Sequence, residues 1–327
     1  MTDWRPCASL PMLRARAGLL RRLRDFFAAR DILEVETPVL SRAASSELHL
    51  ESFVTRYRGS QTGADNCLYL HTSPEYPMKR LLAAGSGAIF QIAKVFRDGE
   101  SGSRHNPEFT LLEWYRIDFD HWRLMDEVDA LVRNVLPDCL VQRPTQRLSY
   151  REAFLHYAGI DVHSATVEAL ADCANTQGIA VSQTAAGFAR NTWLDMLMTH
   201  VVEPCLGQDG LTFIYDYPAD QASLARIRPG EPSLAERFEL YVQGVELANG
   251  FCELTDPVEQ HQRFEQDNAA RCTRGLPTAP LDEHFLAALA HGLPACAGVA
   301  LGVDRLLMLV SGARSIQEVL AFPVDRA

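Results

Sequence analysis

The residues best suited to chemistry lie between Phe96 and Tyr115, in the stretch FRDGESGSRHNPEFTLLEWY. Arg97 closes an apolar run, a glycine- and charge-rich segment follows, and the chain returns through Phe109, Glu113 and Tyr115. A guanidinium forks onto phosphate and an aromatic ring offers its face to a flat base, so a hairpin that joins them could hold a nucleotide. Two further segments carry groups of the same kind. RFELYVQGVELANGFCEL, Arg237 to Leu254, holds Glu239, Glu246 and Glu253. Carboxylates crowded on one sheet repel each other unless a cation shares them. GVALGVDRLLMLV, Gly298 to Val310, sets Gly302 ahead of Arg305 at a helix start, where close backbone approach and the helix N-terminus favour phosphate. Each segment also has a plain structural reading: a hairpin with a charged tip, edge glutamates facing solvent, a common helix start.

These groups need strands in fixed register. Ile89 to Arg97 reads IFQIAKVFR, rich in strand formers. With a period of two, Gln91, Ala93, Val95 and Arg97 share a face; on the return strand Phe109, Leu111, Glu113 and Tyr115 share one. The eleven residues between Arg97 and Phe109 exceed a tight turn and suit a loop that closes over a ligand. On strict alternation Glu246 falls on the opposite face from Asn249, Phe251 and Glu253. If all serve one site, the strand must bulge or twist between Glu246 and Asn249, with Gly250 nearby to relax it.

Around these strands the spacing predicts a helix from Met12 to Arg30 with Leu13, Ala17, Leu20, Leu23 and Phe27 on its apolar side. Its polar face holds Arg14, Arg16, Arg21, Arg22, Arg24 and Arg30; it reads as a solvated face or as a dock for an acidic partner. Ile32 to Leu40, ILEVETPVL, alternates like a strand, and Pro38 suits an edge or an interface. Leu68 to Leu82 passes from strand to helix, with Ser73 at the N-cap and Pro74 at the first helical position. Trp122 to Val202 reads as mostly helical, Ala219 to Pro232 as a loop, and Leu281 to His291 as a helix. One domain over residues 1–327, with a helical insertion at about 122–202, is the simplest organisation.

Composition narrows the class. With 47% hydrophobic and 22% charged residues, the chain reads as an ordinary soluble globular protein. The net charge of −11 runs against a protein that grips nucleic acid backbone. The eight cysteines show no ligand spacing, so no zinc site is expected, and they suit free thiols in a reducing cytosol. No apolar run reaches membrane-spanning length, and the N-terminus MTDWRPCASL lacks a signal-peptide core. A cytoplasmic protein without membrane contact is expected.

Taken in order, the segments resemble a known family. FRDGESGSRHNPEFTLLEWY resembles motif 2 of class II aminoacyl-tRNA synthetases and GVALGVDRLLMLV resembles motif 3. ILEVETPVL resembles motif 1, whose proline lies at the dimer interface. Within the class, SPEYPMKRLL, RHNPEFT and ELANGFCELTDP are similar to the lysyl-tRNA synthetase catalytic core. The resemblance covers nearly the whole chain and implies an α+β fold, an antiparallel sheet flanked by helices with a mostly helical insertion. Motif 1 begins near residue 30, so no anticodon-binding domain is expected before it. That architecture resembles the stand-alone paralogues of lysyl-tRNA synthetase that modify translation elongation factor P. The implied activity is ATP-dependent activation of (R)-β-lysine as an adenylate and its transfer to a lysine side chain of elongation factor P. ATP and Mg²⁺ are the implied cofactors and a homodimer the implied assembly, with no tRNA partner. A ligase that releases a free aminoacyl product or charges an unusual RNA, and a catalytically silent regulator, are the competing readings.

The resemblance also implies roles. Arg97 would hold the α-phosphate, Phe109 would stack on adenine, and Arg305 would cover the nucleotide, with Gly302 letting the backbone approach; Arg97 and Arg305 would be catalytic. Asp98, Gly99, Glu100, Asn106, Glu246 and Leu247 would complete the ATP site, and Glu239 and Glu246 would bind Mg²⁺. Ser73, Pro74, Glu75, Glu113, Tyr115, Asn249, Phe251, Glu253 and Ala300 would line the amino-acid pocket. That pocket is acidic because a diamino acid brings two ammonium groups, each needing a buried partner. Three positions depart from lysyl-tRNA synthetases: Ser73 replaces an alanine, Ala300 replaces a glycine, and Gly99 stands where the adenine-reading glutamate usually lies, with the acid at Glu100.

Overall fold

The computed structural model describes residues 4–59, 67–179 and 187–327. The chain divides into two compact units, Met1–Phe119 with Leu254–Ala327, and Asp120–Glu253.

The first unit opens with helix α1 (Leu10–Ala28), started by the Ser9 side chain, which accepts from Met12 N, and by a proline in the first turn. Leu19, Leu23, Phe26 and Phe27 bury its apolar face. The strand expected over Ile32 to Leu40 is broken into β1 (Leu33–Glu34) and β2 (Leu40–Ser41). Pro38 lies in the gap, where it has no N–H to give a ladder. Strands β3 (Val54–Arg56) and β4 (Cys67–Leu70) form a small sheet with β2, in the order β2-β4-β3. Helix α2 (Glu75–Ala83) starts one residue later than expected, with Pro74 as its cap residue; the Ser73 hydroxyl still accepts the Glu75 N–H. The long hairpin follows as β5 (Ile89–Phe96) and β6 (Glu108–Ile117).

The second unit runs through α3 (His121–Val135), α4 (Asp138–Val141), β7 (Gln146–Ser149), α5 (Tyr150–Tyr157), α6 (Val167–Thr176) and α7 (Arg190–Leu197). Within the described residues, Trp122 to Val202 is therefore mostly helical, as the spacing predicts; residues 180–186 of that stretch lie outside them. Asp120 caps α3, and Ser149 with Glu152 forms a capping box on α5. Then come β8 (Thr212–Pro218), β9 (Ile227–Arg228), β10 (Leu234–Val242) and β11 (Val245–Cys252). Their order is β11-β10-β8-β7, with β9 added to β10. Tyr150, Phe154, Trp193, Leu194 and Leu197 pack with Ile214, Tyr217 and Tyr241 into one apolar core.

The chain returns to the first unit through α8 (Pro257–Thr273), α9 (Glu283–Gly292), β12 (Cys296–Gly302) and α10 (Val303–Ser311). Helix α8 is absent from the reading of the sequence. It buries only Gln260, Phe264 and Arg271, so its apolar period is weak; its one clear signal is Asp256 ahead of Pro257, a capped proline start. In this unit β1, β5, β6 and β12 are neighbours in that order. The β1–β5 and β7–β8 pairs are parallel and the other ladders antiparallel. No helix among the described residues is long and apolar enough to cross a membrane.

Candidate functional site

The register of β5 with β6 sets the first group of side chains. Val95 pairs with Phe109, Ala93 with Leu111, Gln91 with Glu113 and Ile89 with Tyr115, so the two faces read from the sequence are one face of the hairpin. Antiparallel β12 sets Ala300 opposite Glu113 and Gly302 opposite Leu111. Ala93, Val95 and Leu111, packed by Phe109 and Ala300, make an apolar floor.

At the loop end the Arg97 guanidinium lies 5.0 Å from the centre of the Phe109 ring, a cation–π contact, and 3.5 Å from Glu100. Gly99 has a φ of +78°, a left-handed conformation that glycine adopts without cost. The departure from the usual glutamate therefore coincides with a turn that a side chain would strain. Asp98 is exposed, and its N–H bonds the Glu51 carbonyl. Asn106 is buried, and its side chain is spent on the backbone: Nδ2 donates to the Glu108 carbonyl at 2.6 Å, and Oδ1 accepts from Val324 N at 3.1 Å. This amide pins the loop to the C-terminal turn. From α10, directly after Gly302, Arg305 donates to His105 Nε2 at 2.8 Å. His105 must accept there, so its ring is neutral. Desolvation, and then the Arg305 charge, lower its pKa. His105 went unnoticed in the sequence although it sits inside RHNPEFT.

Deeper on the same face lies an acidic pair. Glu113 is 2% exposed. Its Oε2 accepts from Ser73 Oγ at 2.8 Å and its Oε1 from the Tyr115 hydroxyl at 2.6 Å. Glu75, at the start of α2 after Pro74, accepts from Lys79 Nζ at 2.6 Å, and that lysine is 0% exposed. Burial, and then the neighbouring Glu75, push the Glu113 carboxyl up to about 8; the two hydroxyls and Lys79 pull the other way. The Ser73 hydroxyl is what the departure from alanine adds: a donor aimed at Glu113. Lys79 is a further residue missed in the sequence, legible only as a lysine four positions after Glu75.

In the second unit, β10 and β11 arrange the remaining acids. Glu239 pairs with Asn249 and Tyr241 with Glu246, and the register shifts so that Leu247 has no partner. This is the irregularity that alternation requires between Glu246 and Asn249. Leu247 is the extra residue of a bulge, its side chain buried, and beyond it Glu246 and Asn249 share a face with Glu239. Phe251 pairs with Arg237 on that face, and Glu253 follows as a buried bridge to Ala225. Glu239 accepts from Tyr217 at 2.6 Å, from Tyr241 at 2.5 Å and from Arg237 at 2.5 Å. Arg237 also donates to Asn249 Oδ1 at 3.2 Å and to the Gln221 carbonyl at 2.8 Å. Tyr217 and Arg237 carry no motif and were not singled out in the sequence.

What these parts can do is bind. A cation beside a ring suits a nucleotide, and a buried carboxylate held by neutral hydroxyls suits an ammonium group. The family model for class II tRNA synthetases (D, K and N) matches residues 2–326. The elongation factor P–(R)-β-lysine ligase of Salmonella typhi is 52% identical over 325 residues, 99% of this chain and 98% of the relative. The ligases of the same name from Salmonella paratyphi B and Salmonella heidelberg match to the same extent. The chain belongs to the class II tRNA synthetase family of the D, K and N type, in the group of the elongation factor P–(R)-β-lysine ligases.

Proposed function

We propose that this protein activates (R)-β-lysine with ATP as an aminoacyl adenylate and transfers it to a lysine side-chain amine of elongation factor P. The observation that carries the reading is Glu113. It is a buried carboxylate whose donors are two neutral hydroxyls, in a protein whose relatives are named for ligating a diamino acid. A ligand ammonium would supply the cationic partner that lets the buried Glu113 carboxyl ionise. Glu75, Ala300, Asn249, Phe251 and Glu253 are assigned to the same substrate by the family resemblance.

Arg97 and Arg305 would neutralise phosphate charge as the amino-acid carboxylate attacks the α-phosphorus and pyrophosphate leaves. Phe109 would stack on the base, its ring already oriented by Arg97. Glu239 and Glu246 would hold Mg²⁺. Among about four lone-pair positions Glu239 has three donors, which leaves it one. That suits an ion that takes one or two carboxylates and fills the rest with water and phosphate. The ion would supply charge neutralisation on the phosphates. A homodimer is part of the proposal: Leu33, Val39 and Leu40 of the motif 1 segment are exposed apolar residues that a second copy would cover. So is a cytoplasmic location, and so is a protein acceptor in place of tRNA.

The test is incubation with ATP, labelled (R)-β-lysine and either elongation factor P or total tRNA. Label on the factor supports the proposal, and label on tRNA alone contradicts it. Pyrophosphate exchange that depends on (R)-β-lysine separates an active ligase from a silent relative.

A further inference from the structure

The basic face of α1 does not lie wholly in solvent. Arg14, Arg21 and Arg22 are exposed, but Arg16 is only 17% exposed. Its guanidinium lies 2.6 Å from Oδ1 of Asp304 as an ion pair without hydrogen-bond alignment. It donates to Thr110 Oγ1 at 2.9 Å and to the Val319 carbonyl at 3.4 Å. Asp304 is 2% exposed, and its other oxygen accepts the Thr110 N–H at 2.7 Å.

The position of this cluster is informative. Strand β12 ends at Gly302, opposite Leu111, so it offers no backbone acceptor to the N–H of Thr110. Asp304 takes that N–H with its side chain and so extends the ladder into the first turn of α10. A carboxylate this deeply buried needs a cation, and Arg16 brings one from α1. Thr110 is the neighbour of Phe109, and Asp304 is the neighbour of Arg305. The cluster therefore ties together the backbones that carry the ring and the guanidinium assigned above to the nucleotide.

We propose that Arg16 is a positioning residue for ATP: through Asp304 and Thr110 it sets the separation of Phe109 and Arg305 and so the width of the nucleotide clamp. The proposal rests on the assignment of those two residues to the nucleotide. Arg16 does not touch substrate. Its planar fork donates to acceptors on β6 and the C-terminal segment while it pairs with the carboxylate on α10, a combination that a single ammonium is poorly shaped to make.

Arg16→Lys keeps the charge beside Asp304 and loses the fork. In (R)-β-lysine-dependent pyrophosphate exchange, the KM for ATP is expected to rise roughly tenfold, with the KM for the amino acid and kcat within about twofold. Thr110→Val, which keeps the N–H and loses Oγ1, is expected to raise the KM for ATP about threefold. Arg14→Lys, on the exposed part of the same helix, is expected to change neither. Phe109→Ala tests the underlying site. If Phe109→Ala raises the KM for ATP and Arg16→Lys lowers only the melting temperature, Arg16 is merely structural and the proposal is overturned. If Phe109→Ala leaves the KM for ATP unchanged, the clamp itself is misassigned and the proposal falls with it.

Discussion

Glu113 in the first unit and Glu239 in the second are both buried, 2% and 8% exposed, and each accepts hydrogen bonds from two hydroxyls. They differ in one partner. Glu239 has Arg237, whose guanidinium lies 2.5 Å away and also stands 4.5 Å over the Tyr217 ring. Among the described residues no arginine pairs with Glu113; Lys79, the cation that acts on it, bonds Glu75. Hydroxyls stabilise a carboxylate but bring no charge. Glu239 is thus neutralised from within the chain, whereas Glu113 is held near neutrality by its own proton. The first is a finished piece of structure with one position to spare. The second is a buried carboxyl that keeps its proton, at a cost in stability.

The largest effect should come from removing the cation that Glu239 has. Arg237→Met leaves a buried carboxylate uncompensated and should cost about 3–5 kcal/mol in urea unfolding. Glu113→Gln should leave the unfolding free energy unchanged or raised, because folding no longer has to protonate a carboxyl that is ionised in the unfolded chain. Equal losses in the two variants would break the comparison. Activity should show the reverse order: Glu113→Gln should lower kcat/KM for (R)-β-lysine about 100-fold in pyrophosphate exchange, the worth of a charged hydrogen bond in a desolvated pocket.

The pH dependence sharpens the same contrast. Folding raises the Glu113 pKa from 4.5 to about 8. The folded state therefore keeps its proton over a range where the unfolded chain has lost it. The stability contributed by neutral Glu113 is full below about 4.5 and is lost as pH rises through about 8. In urea unfolding without ligand, the wild type should weaken relative to Glu113→Gln across that window, and the difference should level off above it. A flat difference would mean that Glu113 is ionised and compensated in the free protein. The smallest effect belongs to Ser73→Ala. Loss of one hydroxyl donor should raise the KM for (R)-β-lysine about fivefold, the equivalent of about 1 kcal/mol.

Much of the scaffold of this contrast is legible in the residues. Period-two alternation places Phe109, Leu111, Glu113 and Tyr115 on one face, and the same rule, failing at Glu246, requires the bulge that Leu247 makes. Helix α8 is not legible, because a helix with three buried residues has almost no period to detect. Pro38 divides a stretch whose alternation suggests one strand. The charge states lie further out of reach. Arg16 looks like its exposed neighbours along α1 until the fold brings Asp304 to it, and a glutamate list cannot tell Glu113 from Glu239 until Arg237 and Ser73 are in place. Local patterns report faces; which donors meet on a face is decided by contacts between residues distant in sequence.

The most direct test of the proposed role of Glu113 is a count of protons. Calorimetry of (R)-β-lysine binding at pH 7, in two buffers of different ionisation enthalpy, measures the protons released per site. The wild type should release close to one proton more than Glu113→Gln, as the incoming ammonium drives the carboxyl to ionise. Equal release from the two proteins would contradict it.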